Sequence, residues 1–134
     1  MIRDRLAYLD ALGATPCSRE NNCWHVVRRI RQDLFGCDGI PPIGADLIDH
    51  PEQRQGAFAA GYAQAGWYPV EQPRDGDVAV MTKPHDLHVG IYLVIGGRGL
   101  IWHSDIGHNL VSETIMEVTQ LRRWQLSFYR RNTA

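Results

Sequence analysis

A chain of 134 residues with 44% hydrophobic content is near the usual size of one domain and can bury a proper core. Its net charge of -1 gives no electrostatic case for a nucleic-acid partner, and no stretch approaches the roughly 18 consecutive apolar residues of a membrane span. The N-terminus lacks the charged, apolar and small-residue succession of a signal sequence, so the chain is expected to be made in the cytoplasm and to leave it only if something carries it. The three cysteines, Cys17, Cys23 and Cys37, are odd in number and show no CxxC spacing, which argues against a disulfide framework and against a zinc ribbon. We expect a single domain over residues 1–134, with at least one free thiol and no metal or organic cofactor.

Residues Ile2 to Leu12 read as a short amphipathic helix, with Ile2, Leu6 and Leu9 on one side and Gly13 as the stop. A loop from Ala14 to Asn22 leads to a second helix starting at Cys23 and ending near Phe35 and Gly36. Gly39, Pro41, Pro42, Gly44 and Pro51 make the segment from Cys37 to Pro51 a loop. A third helix is expected from Glu52 to Ala65, with Phe58 and Tyr62 at four-residue spacing before Gly66.

After Gly66 the period changes. Val78 to Met81, His88 to Ile95, Leu100 to Ser104, Asn109 to Thr114 and Trp124 to Tyr129 are short, rich in branched and aromatic residues, and separated by turn formers. Helices followed by strands predict an α+β fold with about five strands. Gly96, Gly97, Arg98 and Gly99 predict a hairpin that brings His88 and His103 into neighbouring strands. Along the first of these strands His88, Gly90 and Tyr92 alternate with Val89, Ile91 and Leu93, so His88 faces away from the aliphatic side. Arg122, Arg123, Arg130 and Arg131 form a basic C-terminal edge that reads as solvated surface.

Cys23, Val26, Val27, Ile30 and Leu34 recur at three-and-four spacing, which turns Cys23 inward. Ser18, Asn21 and Asn22 can each cap the helix, and its free amide donors and positive dipole end favour thiolate over thiol. Taken alone, Cys23 also reads as a small buried hydrophobe. The histidine strands behind it favour the chemical reading. Acyl transfer by cysteine needs a thiolate, a base to hold its proton and a polar group to orient that base. Cys23, His88 and His103 can fill those roles in that order, with Asp105 next in line for the third. His85 and His108 could join the two histidines in a metal site, although their spacing fits no helix or ribbon ligand pattern. His25 lies off the Cys23 face and reads as a surface residue. Trp24, Trp67, Tyr68, Trp102 and Trp124 read first as packing residues.

The segment Asn22-Cys23-Trp24-His25-Val26-Val27-Arg28 resembles the nucleophile helix of the NlpC-type cell-wall peptidases, most closely of their phage-encoded branch, where Trp often follows the nucleophile. Pro73-Arg74-Asp75-Gly76-Asp77-Val78-Ala79-Val80 looks like that family's Pro-Gly-Asp-Leu turn into a strand. His88-Val89-Gly90-Ile91-Tyr92-Leu93 is similar to its catalytic histidine strand, and Ile101-Trp102-His103-Ser104 to the strand of its third residue. Trp124-Gln125-Leu126-Ser127-Phe128-Tyr129-Arg130 is like the closing strand of phage members. The likeness spans about residues 15 to 130. It departs from the family at Asn22, where Asp is common, and at Thr15-Pro16-Cys17, where Pro precedes an aromatic residue in many members.

This resemblance implies a papain-like fold with the nucleophile helix packed on a mainly antiparallel sheet, and hydrolysis of an amide in peptidoglycan stem peptides, typically between D-glutamate and diaminopimelate. It implies Cys23 as nucleophile, His88 as general base and acid, and His103 as the orienting residue. The implied partners are the peptidoglycan peptide and, for a phage member, tail proteins. Two further readings use the same fold: a non-catalytic tail assembly protein, and an antibacterial amidase toxin delivered to the periplasm of rival cells.

Overall fold

The structure, a computed structural model, describes residues 4–14, 23–37, 66–84, 86–104 and 109–131. Helix α1 runs over Arg5–Leu12, with the Asp4 side chain accepting the Ala7 amide at 3.0 Å and the Gly13 amide donating to Leu9 at 2.8 Å. Only Leu9 of this helix is buried. Leu6 is 49% exposed, so α1 meets the core through Leu9, with Tyr8 and Leu12 half-buried against it, and not through the stripe that its spacing suggests. Side-chain bonds hold it in place: Arg5 pairs with Asp75, and the Tyr8 hydroxyl donates to Asp33 at 2.6 Å. Burial, reinforced by the Asp33 carboxylate, pushes the Tyr8 phenol well above its ordinary range.

Helix α2, Cys23–Phe35, has the inward face that its sequence predicts. Cys23, Val26, Val27 and Ile30 are buried and Leu34 is half-buried. Burial of Val26, Val27 and Ile30 contributes roughly 1.5–3 kcal/mol each, which anchors a helix too short to be stable alone. Arg31 is buried too, its guanidinium 4.6 Å from the centre of the Trp67 ring, and that burial lowers its pKa. His25 is half-buried, contrary to its surface reading. The helix stops at Gly36, whose φ of 66° suits glycine. The helix expected over Glu52 to Ala65 lies outside the described residues.

Strands β1 (Trp67–Val70), β2 (Val78–Lys83), β3 (Asp86–Ile95), β4 (Arg98–His103), β5 (Val111–Glu113) and β6 (Gln125–Arg131) form one antiparallel sheet in the order β1-β6-β2-β3-β4-β5. The fold is therefore α+β, with six strands among the described residues, one more than expected. The unexpected one is β1, where Pro69 argues against a strand in the sequence. Proline is tolerated there because β1 is an edge strand and need not donate on both sides. The β3–β4 hairpin turns through Gly96 and Gly97 at φ 60° and 78°, the left-handed region that a two-residue hairpin turn requires.

Between β5 and β6 the chain makes an unforeseen π-helical turn, Glu117–Leu121. Thr114 and Glu117 start it as a capping box: the Thr114 amide donates to the Glu117 carboxylate at 2.9 Å, and the Glu117 amide donates to the Thr114 hydroxyl at 3.1 Å. The Thr114 amide, and after it the Thr114 hydroxyl, hold the Glu117 carboxyl below its usual range. Because the folded value is the lower one, the stabilisation from this cap is present above the ordinary carboxylate range and is lost as pH falls through the folded value. An NMR titration of Glu117 should show its midpoint below that of an ordinary glutamate, and Thr114→Ala, which removes the hydroxyl but keeps the amide donor, should move it only part of the way back.

The sheet has two buried faces. Val78, Val80, Leu87, Val89, Ile91, Leu93 and Trp102 form one core with Leu9 and the inner face of α2. Ala79, Met81, Ile101 and Phe128 form a smaller one with Val118 of the π turn. Strand alternation puts His88, His103 and Glu113 with this second set, away from Val89 and Trp102. Trp67 and Trp102 are core residues as expected, while Tyr68 is exposed. No described helix is long and apolar enough to cross a membrane.

Candidate active site

Register creates the site. Ile91 of β3 lies opposite Trp102 of β4, which places His88, three residues before Ile91, diagonally across from His103. His88 Nε2 is 3.0 Å from His103 Nδ1, and the rings meet edge to face with centroids 5.1 Å apart. Between them in sequence, Gly90 permits the close approach of the strands. A Cβ there would lie 2.9 Å from the Trp102 carbonyl oxygen and 3.1 Å from the His103 Cβ.

The contact continues across the sheet. His103 Nε2 is 2.6 Å from Glu113 Oε1, and Arg122 Nε donates to Glu113 Oε2 at 2.6 Å. His88, His103 and Glu113 are 6%, 7% and 7% exposed, so the chain of polar groups runs through the interior and reaches water at Arg122. The hydrogen bond from its guanidinium to Glu113 raises the Arg122 pKa further. Trp124 stacks on His88 with centroids 5.8 Å apart, and Lys83 Nζ lies 4.3 Å from the Trp124 ring centre.

A cavity of about 460 Å³ opens beside the imidazoles, lined by Lys83, His88, His103, Ser104, Asn109, Arg122 and Trp124 among others. The Ser104 hydroxyl is buried with no hydrogen-bond partner among the described residues. Asn109 donates to the Gly13 carbonyl, which ties the far end of α1 to this wall.

The three residues expected to carry the chemistry, Cys23, His88 and His103, are all among the described residues. His88 and His103 are in direct contact. Cys23 is the first residue of α2, which packs on β3 and β4, the strands that carry the two histidines. Its side chain is 5% exposed, in the core that includes Leu87 and Val89 on either side of His88, and it is not among the residues lining the cavity. Neither Cys23 nor Cys37 forms a disulfide. Asn22, Asp105, His85 and His108 lie outside the described residues. Among those described, no group of three or more His, Cys, Asp or Glu side chains is arranged to hold a metal ion.

Sequence reasoning missed Glu113 and Arg122 and left Trp124 among the packing residues. Glu113 carried no local signal, because alternation puts it on the same face as Val111, which is exposed. Arg122 had no signal beyond its charge. Of the basic C-terminal edge, Arg122 is paired with Glu113 and Arg130 with Asp77, so half of that charge is bound in ion pairs and not solvated surface. Comparison with family models, with curated proteins and with solved structures gives no match for this chain.

Proposed function

We propose that this chain is a papain-like cysteine peptidase of the NlpC type that hydrolyses an amide bond in peptidoglycan stem peptides, as a phage tail-associated cell-wall hydrolase. The observation that carries the reading is the contact of His88 with His103 beside a cavity, on two strands whose other face packs against the Cys23 helix. The likeness of these segments to the family's motifs supports it further.

In this mechanism the Cys23 sulfur attacks the amide carbon, forming a C–S bond as the C–N bond breaks. His88 gives its proton to the departing amine. Water then attacks the thioester, His88 takes its proton, and the product carboxylate leaves as the thiol is restored. His103 holds the His88 ring. Amides at the start of α2 face the oxyanion. Lys83 and Arg122 give the cavity wall a cationic character suited to a carboxylate-bearing peptide.

Incubation with purified peptidoglycan and mass analysis of the fragments tests activity and bond choice together. Release of fragments split between D-glutamate and diaminopimelate is expected; intact stem peptides after long incubation would overturn the assignment. A second reading, a non-catalytic tail assembly protein on this fold, draws support from one observation: Cys23 is buried in the core and stands outside the cavity wall.

A further inference from the structure

We infer that Glu113 is a positioning residue that sets the tautomers of both histidines, through His103, so that His88 presents Nδ1 as the basic nitrogen. The role assigned to His88 rests on the function proposed above, whereas the tautomers themselves do not.

The argument follows from which groups can donate. A carboxylate oxygen only accepts, so the 2.6 Å contact of Glu113 Oε1 makes His103 Nε2 the donor. A neutral imidazole with its proton on Nε2 has a lone pair on Nδ1. With His103 neutral, its Nδ1 accepts across 3.0 Å and His88 Nε2 donates to it. Neutral His88 is left with its lone pair on Nδ1, and a proton taken in catalysis goes there. When His88 becomes imidazolium, its Nε2–H bond to His103 persists unchanged, so protonation needs no ring flip.

Arg122 completes the device by occupying the other carboxylate oxygen at 2.6 Å, which aims Oε1 at His103. Among the described residues Lys83 of β2 also lines the cavity, its Nζ 4.3 Å from the centre of the Trp124 ring that stacks on His88. An orienting carboxylate of this kind matters because the wrong tautomer presents a donor where an acceptor is needed.

The test is nitrogen-detected NMR of the full-length protein at about pH 8, where imidazoles of ordinary pKa are neutral. Both His88 and His103 should carry the proton on Nε2. Glu113→Gln should lose that preference, because Arg122 claims the amide oxygen and turns the amide NH₂ toward His103. In an active enzyme kcat should fall on the order of 100-fold, with partial recovery in Glu113→Asp. A wild-type His103 protonated on Nδ1 would overturn the inference without any variant, as would unchanged tautomers in a folded Glu113→Gln protein. Wild-type tautomers as expected without cleavage of peptidoglycan would sink the proposed function and leave the lock standing. Cleavage with the opposite tautomers would do the reverse.

Discussion

Cys23→Ser should abolish release of muropeptides while leaving the fold intact. The hydroxyl is close in size to the thiol but far less acidic, so replacing sulfur removes the nucleophile and little else. A drop of at least ~10³-fold in kcat is expected, because a nucleophile, its base and its orienting group act as a unit. Cys23 is buried at the head of α2, and the added polar group should cost about 1–2 kcal/mol of stability through desolvation. Cleavage assays by mass spectrometry, run beside thermal unfolding of both proteins, separate loss of chemistry from loss of fold. Undiminished cleavage by a folded Cys23→Ser protein would remove Cys23 from the mechanism. Inactivity of the wild type toward every stem peptide would favour the assembly reading.

Asp77→Ala should give the largest loss of stability of any change outside the aliphatic core. Asp77 is 4% exposed and serves two partners at once. Its Oδ2 accepts the Arg74 amide at 2.7 Å, which closes the turn into β2. Both of its oxygens take the Arg130 guanidinium, at 2.9 and 2.7 Å, which ties that turn to β6. Removing the carboxylate strands a partly buried guanidinium and an amide together, at a cost of about 3–4 kcal/mol. The midpoint of urea unfolding should fall accordingly with its slope unchanged. A loss under about 1 kcal/mol would mean that Arg130 finds other partners and that the pair is ornamental. This pairing gives the Pro73-Arg74-Asp75-Gly76-Asp77 segment a structural purpose. Asp75 contributes as well, accepting the Val94 amide at 2.9 Å and pairing with Arg5.

Several features of the fold were legible because they depend on neighbours in the chain. The α2 stripe, the Gly96-Gly97 hairpin and the opposite facing of His88 and Val89 follow from local periodicity and backbone sterics, and the structure agrees with all three. Strand β1 was hidden because its four residues include a proline, and only its position at the sheet edge makes that harmless. The π turn was hidden because its apolar residues, Val118 buried and Leu121 exposed, do not repeat at a helical period long enough to register.

The site divides in the same way. Residue types and a predicted hairpin suffice to place two imidazoles on adjacent strands and a thiol at a helix start. Sequence alone determined those candidates, since each depends on a short stretch of chain. Only the tertiary structure decided the partners. Glu113 reaches His103 because β5 pairs with β4 in one register, and Arg122 reaches Glu113 because an unforeseen turn folds it back. Trp124 changes from a packing residue into the platform under His88 for the same reason. Hydrogen bonds span a few ångströms and ignore separation along the chain, so the groups that set a proton's position are chosen by register and turn geometry, which no local pattern encodes.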